Sequence, residues 1–316
     1  MSTHYPVLLS EVINGLNVQD DSVIVDLTLG RAGHSSALLL KARKGYLYGF
    51  DQDETAIKES REVLSKTFQN FTLFHQNFKD FDLALNALGV KGADIILLDL
   101  GVSSPQFDVS ERGFSYRYDG PLDMRMDRTN NNLTAAIIVN TYTEARLKEI
   151  FYNYAESRYS ARIAREIIDA RKAKPIATTL ELVEIIKRAL PSKELRKKGH
   201  PAKTIFQALR IEVNNELGVL SEVLARAPHF LNEGGRLAVI SFHSLEDRLV
   251  KNTFKRLASL SDEARHPYSL PDKNKVAPFT LVNRKVIVAS DDEIELNPRA
   301  SSAKLRIIEK RRTKYA

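Results

Sequence analysis

Short apolar runs alternate along this chain with longer stretches in which apolar residues recur every three or four positions. The most continuous run is Ile95, Ile96, Leu97 and Leu98, ending in the carboxylate Asp99. Four consecutive apolar residues bounded by turn signals describe a strand covered on both faces, as in the middle of a parallel sheet. Residues 23–26 (VIVD) predict a first strand, 45–51 (GYLYGFD) a second, 71–75 a third and 94–99 a fourth. Helical spacing separates them, beginning near His34 and over residues 54–64, with Asp53 as the expected N-cap. Residues 4–16 read as a lead-in that packs on the sheet.

After Gly113 the alternation stops. Residues 144–171 carry Leu147, Ile150, Phe151, Tyr154, Ile163, Ile167 and Ile168 near 3.6-residue spacing, which predicts one long helix broken by Pro175. A second helix is expected over 180–190, with Thr178 and Glu181 at capping-box spacing. Residues 206–231 resume a helical pattern. Strands follow at 237–242 (LAVISF), 281–289 and 304–309. The pattern predicts an open, mostly parallel α/β sheet with an all-helical insertion: a core of residues 1–112 and 206–316, and an inserted domain of residues 113–205.

Composition narrows the class. The 316 residues suffice for one large domain and a smaller one. No apolar run approaches the ~20 residues of a membrane span, and residues 1–12 lack a charged segment followed by an apolar one, so neither membrane anchorage nor a secretion signal is expected. There is no cysteine, which removes disulfides, thiolate metal sites and a cysteine nucleophile. Charge is uneven: residues 1–112 carry −5, 113–205 carry +7 and 206–316 carry +5. Two basic parts suit a polyanionic partner, although ordinary solvated surface also accounts for them.

The candidate chemistry gathers at the carboxyl ends of the predicted strands, where open α/β sheets bind ligands. The first strand runs into Leu27-Thr28-Leu29-Gly30-Arg31-Ala32-Gly33, a GxxG turn opening a helix. Such a turn lets backbone approach a ligand, yet a plain strand-to-helix connection has the same look, and the dinucleotide pattern GxGxxG is absent. Asp51 lies ~20 residues past the Gly turn, where an acid accepts from ribose hydroxyls. Phe78 follows the third strand and offers a face to adenine, or simply fills core. Asp99 leads into a small-residue turn with Gly101, Ser103, Ser104 and Pro105. After the fifth strand come His243, Glu246 and Asp247. The acids suit the first turn of a helix capped by Ser244, and His243 is left as a pocket candidate. Arg196, Lys197 and Lys198, with a tail from Arg299 carrying seven Lys or Arg against one acid, are candidate phosphate contacts. Ribose and adenine recognition without a pyrophosphate cradle favours S-adenosylmethionine over a dinucleotide.

The motifs VDLTLGRAGHS, FDQD, DLGVSSPQFDVSERGFSYRYDGPLDMRMD, GHPAKTIFQALRIEVNNEL, AVISFHSLEDRLVK and NPRASSAKLRIIEK resemble, in order and over nearly the whole chain, the bacterial 16S rRNA (cytosine-N4)-methyltransferase H family, also called MraW. The resemblance implies a class I S-adenosylmethionine-dependent methyltransferase, a Rossmann-like sheet with an inserted helical substrate domain. It implies methylation of a cytidine N4 in the decoding region of small-subunit rRNA, in the cytoplasm, on naked rRNA or the assembled subunit. Carried over by motif, cofactor contacts fall on Ala32, Gly33, His34, Asp51, Phe78, Asp99 and Gln106. Ala32 stands where the family usually has glycine. Catalytic candidates are Asp99, Ser103, Ser104 and His243; RNA candidates are Arg196, Lys197, Lys198, Arg299 and Lys304; no metal is expected. Monomer and homodimer both remain open. The competing readings are an NAD-dependent oxidoreductase, a non-catalytic RNA-binding module and a methyltransferase acting on DNA or a ribose 2′-OH. Lack of cysteine excludes the usual adduct route to cytosine C5.

Overall fold

The computed structural model describes residues 5–101, 107, 109–259 and 276–313. The chain divides into two compact units, residues 1–101 with 219–316, and residues 102–218.

The first unit is built on a seven-stranded sheet: β1 (Val23–Asp26), β2 (Tyr46–Asp51), β3 (Phe71–His75), β4 (Ala93–Asp99), β5 (Leu231–Ser241), β6 (Phe279–Leu281) and β7 (Lys304–Lys310), in the order β3-β2-β1-β4-β5-β7-β6. β1 to β5 pair in parallel, and β7 runs antiparallel to both β5 and β6. Because side chains alternate across a strand, each apolar run feeds two cores. Ile24, Ile95, Leu97, Ala238, Ile240 and Ile307 join one, while Val25, Ile96, Leu98, Leu237, Val239 and Ile308 join the other. Burial on both faces is why Ile95–Leu98 needs no polar position. This is the open, mostly parallel α/β sheet expected from the sequence.

The second unit is helical. Ala135–Thr141, Glu144–Asn153, Ser160–Ala173, Thr179–Ala189 and Lys203–Asn214 surround one core that includes Phe151, Ile167, Leu182, Ile186 and Leu209. The observed boundaries differ from 112/113 and 205/206. Arg112 reaches the carbonyls of Arg125 and Met126, and Phe206, Leu209 and Val213 bury in the helical core. Both segments therefore belong with the helices.

Three expected elements are corrected. The long helix over 144–171 is two, separated by residues 154–159, with Glu156 at φ 47°. The helical stretch over 206–231 is also two, Lys203–Asn214 and Glu216–Phe230, broken at Asn215 with φ 48°. The strand expected over 281–289 reduces to β6 and one isolated bridge, Ile287 to Leu305. Asn283 is the reason: its side chain donates to the Leu305 carbonyl and accepts from the Ile307 N–H, doing the ladder's bonding through an amide group. No helix among the described residues is long and apolar enough to cross a membrane.

Candidate active site

Strand order reverses at β1, which lies between β2 and β4. Crevices of open sheets form at such a switch point, at the carboxyl edge. All three strands end there in an acid: Asp26, Asp51 and Asp99.

The turn after β1 is stitched to both neighbours. Leu27 N–H donates to the Leu97 carbonyl and Leu29 N–H to the Phe50 carbonyl. Thr28 Oγ1 accepts from Asp99 N–H at 2.5 Å, and Gly30 N–H donates to Asp51 Oδ2 at 2.9 Å. Asp51 Oδ1 takes the N–H of Asp53, which in turn caps Glu54–Leu64 through Thr55 N–H. Gly30 and Ala32 are left-handed, at φ 53° and 56°, so a glycine is the comfortable residue at position 32 and alanine the strained one. Gly33, at the start of the helix Gly33–Lys41, is needed for packing: a Cβ there would lie 2.5 Å from Pro6 Cγ.

The neighbouring side chains complete a buried acidic edge. Asp26 accepts from Ser35 Oγ at 2.6 Å and from Thr28 N–H. His34 is buried, with Nε2 2.9 Å from the Val7 carbonyl and Nδ1 3.7 Å from Asp99 Oδ2. A carbonyl only accepts, so Nε2 carries a proton, and Nδ1 faces the carboxyl group. Asp99 Oδ1 is buried and accepts no hydrogen bond among the described residues, although 28% of the side chain remains exposed. Burial pushes Asp26 and Asp51 up to about 6 and Asp99 up to about 8. Hydrogen bonds from Ser35 and Thr28 ease the first, and N–H groups of Asp53 and Gly30 the second. Asp99 has no such relief, and the charges of Asp26 and Glu246 push it further. The arrangement suits a ligand that carries positive charge and hydroxyl donors.

Phe78 sits in a short turn, Phe78–Asp80, half-buried against the core beneath β3. Asn77 ties that turn to Gln52, just past β2. His243, not Ser244, caps Ser244–Leu257: its Nδ1 accepts from Glu246 N–H while Glu246 Oε2 accepts from the N–H groups of Phe242 and His243. A ring nitrogen here serves as the acceptor that a hydroxyl usually supplies. His243 Nε2 lies 3.0 Å from Glu246 Oε1 without hydrogen-bond alignment.

The structure thus brings Ala32, Gly33, His34, Asp51 and Asp99 to one network. Ser103, Ser104 and Gln106 lie outside the described residues. Arg196 and Lys198 are exposed, and Lys197 pairs with Glu194 at 2.7 Å. In the first unit Arg299 is exposed, and Lys304 lies 3.5 Å from Asp247, which Arg306 also engages. Asp26 and Thr28 are site residues that sequence reasoning did not single out, whereas Glu246 lies in the first turn of the helix after β5, as the sequence suggests. Asp26 carried a usable signal, the same apolar-run-then-carboxylate ending as Asp51 and Asp99.

A profile of the MraW methylase family matches residues 1–311. The chain belongs to the MraW methylase family. Two relatives are each 49% identical over 312 residues, covering 98% of this chain and all of the relative: the proteins called ribosomal RNA small subunit methyltransferase H in Mesoplasma florum and in Mycoplasma capricolum. Among solved structures, an rRNA methylase from Streptococcus thermophilus aligns at 14% identity with a TM-score of 0.38, covering 96% of this chain and 94% of that one. In this methylase the acidic edge, the left-handed turn and the half-buried aromatic ring are parts of one unit's sheet edge.

Proposed function

We propose that this chain transfers the methyl group of S-adenosylmethionine to N4 of a cytidine in the decoding region of 16S rRNA, working in the cytoplasm on the small ribosomal subunit or its rRNA. The observation that carries the reading is Asp99 Oδ1, a buried acceptor with no partner among the described residues, at the switch point of a methylase sheet. An orphaned carboxylate oxygen costs stability unless a ligand satisfies it.

The residues present fit the cofactor. Asp51 would hold the ribose hydroxyls, Phe78 would face the adenine, the backbone from Ala32 to His34 would line the amino-acid end, and Asp99 would answer the positive charge. When bound, S-adenosylmethionine supplies an electrophilic methyl group. The chain's own task is to orient the nucleophile and keep water out. Cytosine N4 is a weak nucleophile because its lone pair is delocalised into the ring, and acceptors on its hydrogens favour the pyramidal geometry it needs. Positioning of this kind is worth roughly 7–11 kcal/mol. With the donor's positive charge beside it, the Asp99 carboxyl would be ionised, and so able to take up the N4 proton once the methyl has transferred. Ser103 and Ser104 follow it in sequence as further acceptors, and His243 holds the loop after β5. The absence of cysteine leaves cytosine C5 without its usual nucleophile.

The test is product identity. Small subunits lacking the modification are incubated with the protein and methyl-labelled donor, and their nucleosides are separated by mass spectrometry. Label on cytidine N4 is expected; label on ribose 2′-O or C5, with none on N4, overturns the assignment.

A further inference from the structure

The helical unit contains a cluster that the methyl-transfer site does not use. Tyr116 and His200, eighty-four positions apart, stack with ring centroids 4.4 Å apart and planes inclined by 18°. Phe206 meets Tyr116 edge-on at 5.8 Å and is itself buried, so the stack rests on the helical core. The strand of chain carrying Tyr116 is fixed: Gly120 N–H donates to Thr179 Oγ1, whose hydroxyl donates to the Tyr118 carbonyl, and Thr179 is fully buried. His200 is fixed as well, since its Nδ1 accepts from Ala202 N–H and its carbonyl accepts from Lys203 N–H at the start of Lys203–Asn214. Two aromatic rings are thus held rigid, both half-buried.

The surroundings are positive. The Arg117 guanidinium lies 6.0 Å from the Tyr116 ring centroid, and Tyr118 next to it is exposed. The loop leading to His200 carries Arg196 and Lys198, both exposed and in no ion pair among the described residues. Burial, with Lys187 and Arg117 nearby, holds His200 below its usual range, so its ring is neutral at pH 7. A neutral, flat ring among cations recognises a flat ligand with an anionic backbone. A folded protein surface offers the charge but not the plane; duplex RNA offers the charge but keeps its base faces stacked away.

We propose that Tyr116 and His200 form a stacking platform for one unstacked base of single-stranded RNA, with Arg117, Arg196 and Lys198 on the flanking phosphates. The proposal rests on the reading of the chain as an rRNA methyltransferase and adds which residues of the helical unit hold the substrate strand. Base stacking of this kind tolerates any sequence, because every base has a π-face.

The test uses the full chain and a labelled single-stranded RNA ten-mer of mixed sequence, followed by fluorescence anisotropy. His200→Ala should weaken binding by about tenfold, within the range for loss of one stacked base. His200→Phe, which keeps the plane and loses the nitrogens, should stay within about twofold of wild type, and S-adenosylmethionine affinity should be the same in all three, reporting an intact fold. The same-length RNA duplex should bind wild type and His200→Ala alike. Equal single-strand affinity for wild type and His200→Ala, loss in His200→Phe as large as in His200→Ala, or an equal loss on duplex each overturns the platform. Cytidine N4 methylation of small subunits, scored separately, tells failure of the platform from failure of the methyltransferase reading.

Discussion

At the scale of single residues, the decisive fact is that Asp26 is buried, and Asp51 and Asp99 half-buried, with little compensating positive charge. Their folded-state values, about 6, about 6 and about 8, lie above the unfolded reference near 4. Between those limits the native state binds more protons than the unfolded one, so stability falls as pH rises from about 4 to about 8. A cation in the site reverses the preference by favouring the ionised form. Donor binding should therefore release protons near pH 7, mostly from Asp99, and affinity should climb with pH until about 8 and then level off. Calorimetry in two buffers of different ionisation enthalpy measures this directly; proton uptake would contradict it, and Asp99→Asn should remove most of the effect. Ala32 poses a smaller question. Holding an L-residue at φ 56° costs about 1–2 kcal/mol. Ala32→Gly relieves that but gives up one buried methyl, about 0.8 kcal/mol, and about 0.5–1 kcal/mol of chain entropy. The terms nearly cancel, so thermal unfolding should move by no more than a few degrees. A larger loss would show that the methyl has become part of the packing.

At the scale of elements, what could be read from the chain depended on whether a hydrophobic signature existed. β1, β2 and β4 are apolar runs ending in acids; Asp51 stood out by its ~20-residue spacing from the Gly turn, and Asp99 by the small-residue turn that follows it. Asp26 shares the ending, but its role rests on Ser35 in the following helix, which no periodicity announces. The breaks at Glu156 and Asn215 were invisible because a single left-handed residue does not disturb a 3.6-residue pattern. Residues 281–289 read as strand because they are rich in β-branched residues; Asn283 diverts the ladder, and a side chain bonding to a strand over twenty positions away leaves no local trace. The cap by His243 was missed because histidine is an unusual acceptor at that position. The capping box of Thr179–Ala189 was legible, and the structure contains both of its bonds, with Glu181 also accepting from Ala177 N–H and pairing with Lys174. Thr178→Ala should cost about 1 kcal/mol. Thr178 and Glu181 share the box, so the double alanine variant should lose less than the sum of the two singles. Strict additivity in chemical denaturation would mean that the two bonds form independently.

At the scale of the whole molecule, the question is which of many cations carry RNA affinity, since charge count alone cannot say. Most basic side chains of the helical unit already have acidic partners, as in Arg146 with Glu149 and Lys187 with Glu184. Exposed pairs of this sort are worth about 0–1 kcal/mol, so a phosphate can displace the acid at little cost. Lys197 with Glu194 is such a pair on the cation side: the lysine side chain is 56% exposed, and the other cation on that acid, Arg158, is 67% exposed. Lys304 differs. Its partner Asp247 also binds Arg306 at 2.7 Å, that carboxylate and Arg306 are each only 14% exposed, and the acid is held below the usual carboxylate range, opposed by burial but stabilised by Arg306 and Lys304. Drawing Lys304 away would uncouple part of a half-buried cluster. The expected outcome is a split among the RNA candidates. Each neutralised phosphate contact on a single strand should reduce the slope of log affinity against log salt by about 0.7. The triple variant Arg196→Ala, Lys197→Ala, Lys198→Ala should therefore lower that slope by about 2, with S-adenosylmethionine affinity unchanged. Lys304→Ala should leave the slope as it is and lower thermal stability instead. The same slope in the triple variant as in wild type would return the 196–198 loop to plain solvated surface, and a flattened slope in Lys304→Ala would show that phosphate competes successfully with Asp247.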